Sequence, residues 1–233
     1  MGLNRGPKIV KDGLRLYLDA ILPTSYPGSG AVWYDLTGNG LNATGNSSYI
    51  NSSGVTSGAS FSTSSTNILD NDLHSIFFML KLNSSLAYTN GTTGNWEKIF
   101  SYNAGGSDRS PSVWRYPSNR LIHWRYDPSN SGIDISTTSA GAYFVGGAEF
   151  SLNTWYYIGV TKNGATATAY VNGISVGSNT VSNPKTTGSA AVIVNEGYTN
   201  PLNNVNCLGI YNRVLSASEV LQNFMVFKTR FNI

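Results

Sequence analysis

The stretch Leu208-Gly209-Ile210-Tyr211-Asn212-Arg213-Val214-Leu215-Ser216-Ala217-Ser218-Glu219-Val220 decides how the chain is read. Its first part has the apolar character of a strand, and its second part carries the start signal of a helix. Ser216 and Glu219 stand at the spacing of a capping box, in which two backbone N–H groups orphaned by the first helical turn find partners. Leu215 and Val220 flank that box as a hydrophobic staple. Val220, Phe224 and Phe227 then recur at i, i+4 and i+7, so one apolar stripe can lie on whatever the strands build. Lys228 and Arg230 fall near the negative end of the helix, where cations are favoured.

Working outward from this helix, the signals are those of strands. Leu14, Leu16 and Leu18 alternate onto one face, and within residues 74–82 Ile76, Phe78 and Leu80 do the same. Residues 96–102 form a further strand. Residues 112–116 and 121–126 flank Pro117, Ser118 and Asn119, the pattern of an antiparallel hairpin. Residues 155–161 and 165–171 flank a second turn at Lys162, Asn163 and Gly164. Asn172 followed by Gly173 is the strongest two-residue turn signal in the chain, with residues 174–177, 190–194 and 206–211 completing the set. A Ser-, Gly- and Asn-rich meander reaches residue 66. Many short strands separated by turn residues predict an all-β, two-sheet antiparallel sandwich with one C-terminal helix. The expected division is a basic N-terminal arm at residues 1–12, a sandwich at residues 13–215, and a helix and tail at residues 216–233.

Composition agrees. Charged residues are 12% of the chain, about half of the usual quarter. Hydrophobic residues at 40% are enough for a core, which argues against wholesale disorder. The net charge of +3 is concentrated at the start: Arg5, Lys8, Lys11 and Arg15 oppose Asp12 alone, and the remainder is balanced. Such an arm suits docking on an acidic partner surface; a solvated, slightly basic terminus is the competing reading. The single cysteine, Cys207, excludes an internal disulfide framework and reads as a small buried hydrophobe. No signal-peptide pattern opens the chain and no apolar run is long enough to span a bilayer. The expectation is synthesis in the cytoplasm, with no membrane partner.

Three groups of residues carry candidate chemistry. Trp114, Tyr116, Trp124 and Tyr126 lie in one hairpin with Arg115, Arg120 and Arg125 interleaved. On an exposed face these rings could stack on sugars; on an inward face they are core. The neutral body and the flanking Asp108 and Asp127 argue against nucleic acid. Asp127, Ser129 and Asp134 offer hard oxygen ligands in a calcium-loop-like run, although calcium wants six to eight oxygens and the terminal Glu is missing. Asp35, Thr37 and Asn39 are a second such run, and turn capping by Asp and Asn competes for both. No cofactor is otherwise implied. Glycoside hydrolysis needs two carboxylates facing one cleft, and Glu97, Glu149, Glu196 and Glu219 stand isolated. His74 and His123 sit in strand patterns and read as structural. No catalytic residue is therefore assigned.

The runs GLRLYLDA at residues 13–20, SYPGSG at 25–30 and WYDLTGNG at 33–40 resemble the opening of laminin-G-like, concanavalin A-like domains of bacteriophage structural proteins. WYYIGV at 155–160 with YVNG at 170–173, and the ending IYNR at 210–213 with Leu215, Ser216, Glu219 and Val220, resemble the middle and close of the same domains. The resemblance implies a jelly-roll sandwich acting without catalysis as a virion component, foremost a capsid-surface decoration protein and next a tail-fibre or neck protein. It implies other virion proteins as partners in an oligomeric assembly. On that reading Arg5, Lys8, Lys11, Phe227, Arg230 and Phe231 are the docking candidates. The alternative is a carbohydrate-binding adhesin recognising host glycans.

Overall fold

The structure, a computed structural model of the chain, describes residues 7–56, 60–69, 72–83, 88–89, 92–93, 96–103, 111–126, 131–142, 146–181, 190–195 and 203–233. The first strands are β1 Leu14–Asp19, β2 Val32–Trp33, β3 Ala43–Thr44, β4 Ile50–Asn51, β5 Gly54–Val55 and β6 Phe61–Ser62. The central ones are β7 Leu73–Leu82, β8 Tyr88–Thr89, β9 Thr92–Thr93, β10 Glu97–Asn103, β11 Ser112–Arg115, β12 Ile122–Arg125, β13 Gly132–Ile135 and β14 Ala140–Gly141. Then come β15 Trp155–Asn163, β16 Thr166–Val171, β17 Ile174–Thr180, β18 Ala191–Val194, β19 Asn203–Tyr211 and the helix α1 Ala217–Phe231.

Pairing builds two layers. One runs β1-β19-β7-β15-β16-β17. The other runs β13-β12-β11-β10-β18-β6-β3-β2. Both are antiparallel. They are joined at one rim where Ala140 of β14 pairs with Gly177 of β17, the one parallel pairing among the described strands. The expected sandwich is thus formed, and its layers share a continuous hydrogen-bonded rim.

Alternation explains which residues fill the space between layers. Ile76, Phe78 and Leu80 of β7 point inward, and so do Ile122 and Trp124 of β12 and Ile133 and Ile135 of β13. Phe78 stacks on Trp124 across the gap, with ring centroids 5.6 Å apart. Leu16 and Leu18 join this core, but Leu14 does not. A register shift between Leu14 and Leu16 inserts a residue against β19, which breaks the period-two rule and turns Leu14 to the outer side.

The outer face of the β1-side layer is covered by α1. Val220, Phe224 and Phe227 pack on Phe77, Met79, Tyr157, Cys207 and Tyr211. Ser216 Oγ accepts from the Glu219 amide at 3.3 Å, and Glu219 Oε2 accepts from the Ser216 amide at 2.9 Å. The expected capping box is therefore present, and Leu215 and Val220 are both buried beside it. Asn172 and Gly173 have φ of 49° and 78°, the paired left-handed residues of a type I′ turn joining β16 and β17.

Within the segment before β1, residues 8 and 10 are hydrogen-bonded to the rest of the domain. The Val10 amide donates to Asn223 Oδ1 at 2.7 Å, Gln222 Nε2 donates to the Lys8 carbonyl at 2.8 Å, and Tyr211 Oη donates to the Val10 carbonyl at 3.0 Å. Residues 7–12 are thus tied to α1 and β19, while the side chains of Lys8 and Lys11 stay exposed. Arg5 lies outside the described residues.

Candidate functional site

The register of β10 to β13 separates the aromatic hairpin into two faces. Val113 pairs with Trp124, and Arg115 with Ile122, so these side chains point between the layers. Trp124 is fully buried there and Tyr126 is 2% exposed. His74 Nε2 lies 3.3 Å from Tyr126 Oη, and burial raises the Tyr126 hydroxyl pKa well above the ordinary phenol range. Neither Trp124 nor Tyr126 reaches a ligand in this fold, so both are corrected from candidate sugar contacts to core. Beside them Arg115 and Glu97 form a fully buried ion pair at 3.4 Å. Asn203 Nδ2 donates to the same carboxylate at 2.5 Å. Burial depresses the Arg115 pKa, and the Glu97 charge opposes that shift.

The other face carries a different set. Lys98, Trp114, His123 and Asp134 are successive register partners across β10, β11, β12 and β13. The Lys98 ammonium sits over the Trp114 ring, 4.8 Å from its centroid. The Trp114 indole donates to Ser112 Oγ at 2.8 Å. Asp134 Oδ1 meets His123 Nδ1, and Asp134 Oδ2 accepts from Tyr116 Oη at 2.7 Å. At the end of this row, half-buried Trp96 and Tyr116 lie with ring centroids 4.4 Å apart. The Trp96 ring also meets the His123 ring edge-on at 5.7 Å.

This face is a built polar and aromatic array. Trp114 is 9% exposed, and the rings of Trp96 and Tyr116 are the half-buried ones of this row. The buried His123 and Asp134 fix the Tyr116 hydroxyl, which holds its ring in one orientation. A fixed aromatic plane with neighbouring donors and acceptors can stack on an apolar sugar face and bond to its hydroxyls. Trp96 and His123 were not sugar candidates on sequence. The alternation of β12 could have placed His123 opposite Trp124, but nothing in the sequence says which face is inward.

The calcium candidate is corrected at the residue that can be described. Asp134 sits in strand β13 rather than a loop, and both of its oxygens already accept hydrogen bonds. Asp127 and Ser129 lie outside the described residues. Asp35 accepts from the amides of Tyr17, Thr37 and Leu41 and from Thr37 Oγ1. That is the turn-capping reading of this run. Among the described residues no three His, Cys, Asp or Glu side chains group as metal ligands.

The C-terminal docking candidates serve the fold itself. Phe227 is 2% exposed and stacks on Tyr157 at 5.3 Å. Phe231 packs edge-on against Trp155 at 4.9 Å. Arg230 forks onto buried Asp19. None of the three is a free anchor. Cys207 is buried, and desolvation pushes its thiol pKa well above the ordinary range.

Solved structures share this architecture. Trypanosoma rangeli sialidase in complex with 2,3-difluorosialic acid superposes with a TM-score of 0.63 at 17% identity, covering 91% of this chain and 33% of that one. The HCR/D protein gives a TM-score of 0.64 at 15% identity, covering 95% and 52%. The binding domain of Paraclostridial Mosquitocidal Protein 1 gives 0.59 at 20% identity, covering 95% and 53%. The chain therefore spans about a third to a half of these relatives' length, and the likeness shows the fold alone. No curated protein matches the chain in sequence. A family model does match, over residues 84–221, more than half of the chain and including the whole aromatic face. The chain belongs to the concanavalin A-like lectin/glucanases superfamily, within its laminin-G-type family.

Proposed function

We propose that this domain is a non-enzymatic glycan-recognition module, working by surface contact. The observation that carries the reading is the Trp96 and Tyr116 ring pair, oriented by the His123 and Asp134 array on the outer face of β10 to β13. One protein of similar fold that is a binding domain by name supports it. The non-catalytic part is supported by the engagement of the described glutamates. Glu97 is held by Arg115 and Asn203 inside the sandwich, Glu149 pairs with Arg120 at 2.7 Å, and Glu219 caps α1. A glycan array tests the reading. Binding of defined glycans that is lost in Trp96→Ala and Tyr116→Ala supports it. No glycan signal, or cleavage of the bound glycan, contradicts it.

The setting we propose is a bacteriophage particle, as a head-decoration protein ahead of a fibre or neck protein. The run of opening, middle and closing motifs quoted from the sequence supports that setting, and an exposed decoration can also bind host glycans. Immunogold labelling of purified particles tests it: label on the head shell is expected, and unlabelled particles would overturn it.

A further inference from the structure

We propose that the cleft between residues 7–11, β1 and α1 is a binding site for a small amphipathic anion, an apolar ring or chain bearing one acidic group. This site lies on the layer covered by α1, away from the aromatic face, and is independent of the glycan reading. The cleft has a volume of about 450 Å³, within the range of about 300–1,000 Å³ typical of small-ligand sites. Its lining is mainly apolar, with Ile9, Leu14, Tyr17, Leu22, Leu36 and Val226 in the walls. Expelling water from such walls favours an apolar ligand body.

Charge selects the rest of the ligand. Lys8, Lys11 and Arg230 also line the cleft. The nearby carboxylates are already occupied. Asp19 accepts from both Arg230 Nη atoms, from Tyr17 Oη and from the Ile21 amide. Asp35 accepts from three backbone amides and the Thr37 hydroxyl. Lys8 and Lys11 are exposed and make no ion pair among the described residues, so the lining of this mainly apolar cleft includes two cationic side chains without an ion-pair partner there. The wall that carries them is pinned through Val10 and Lys8 to Asn223 and Gln222 of α1, which keeps it from collapsing into the space.

The test is fluorescence titration of the full chain with 8-anilinonaphthalene-1-sulfonate and with its uncharged relative N-phenyl-1-naphthylamine. Saturable one-to-one binding of the sulfonate is expected. Lys8→Ala with Lys11→Ala should weaken it about tenfold, the scale of two partly screened charge contacts, and leave the uncharged probe unchanged. Val226→Trp should fill the cleft and weaken both probes, with circular dichroism reporting the fold. Should that variant unfold, the lysine pair decides alone, because both side chains are exposed. Non-saturable binding, or sulfonate binding indifferent to the lysine pair, overturns the proposal. So does binding that arises only after residues 1–6 are removed, which would assign the cleft to the chain's own terminus.

Discussion

Arg230 reaches back across the whole chain to Asp19, with Nη1 2.9 Å from Oδ2 and Nη2 2.7 Å from Oδ1. The carboxylate is fully buried and the guanidinium 23% exposed, so this fork ties the last turn of α1 to the end of β1. Breaking one side of such a pair leaves a buried charge without its partner. Arg230→Met is expected to cost about 2–4 kcal/mol, read as a lower urea midpoint. Combining it with Asp19→Asn should recover part of that loss, and a fully additive double mutant would contradict the coupling.

Acid should loosen the same helix from its other end. Hydrogen bonds from Arg213, then those from Ser216, hold the Glu219 carboxyl down to about 2, against an ordinary value of about 4.3. Its contribution is therefore complete above about pH 4.3 and is lost as pH falls through about 2. For a pair this accessible to solvent, about 1 kcal/mol is expected. Urea melts between pH 5 and pH 2 should show this slope in the wild type and a shallower one in Arg213→Met.

The two faces of the aromatic hairpin should separate under mutation. Trp124→Ala empties the core beneath Phe78 and is expected to cost about 3–5 kcal/mol. Tyr116→Ala removes one partner of Asp134 and a half-buried ring, for about 1–2 kcal/mol, leaving a folded protein. Equal losses in chemical denaturation would contradict the assignment of faces.

Gly159 allows the Phe77 ring to lie against β15. A Cβ there would sit 2.0 Å from Phe77 Cδ1 and 2.5 Å from the Ile76 carbonyl oxygen. Gly159→Ala is expected to cost about 1–3 kcal/mol through overpacking, visible as a lower thermal midpoint. An unchanged midpoint would mean that Phe77 yields without strain.

Much of this fold is legible in the sequence because period-two alternation and turn chemistry agree. That holds for β7, for β15 with β16, and for the turn at Asn172 and Gly173; the helix is legible from its capping box. β13 is not, because its polar Gly132 and Asp134 follow a run that reads as a loop. The two-residue strands β2 to β6 are too short to alternate, and the bulge after Leu14 defeats a parity argument that assumes no inserted residue. The site is less legible. Alternation pairs Trp114 with Tyr116 and Trp124 with Tyr126, yet it cannot say which pair is inward. An amphipathic stripe likewise cannot reveal that Phe227 and Arg230 are taken up by Tyr157 and Asp19.

The most direct test is a two-dimensional ¹⁵N NMR titration of the domain with the best glycan from the array. Saturable shifts are expected at the Trp96 indole N–H and at the amides of Tyr116, His123 and Asp134, with the Trp124 indole unmoved. Shifts centred elsewhere on the sandwich, with the Trp96 and Tyr116 signals unchanged, would contradict the assignment of glycan contact to this face.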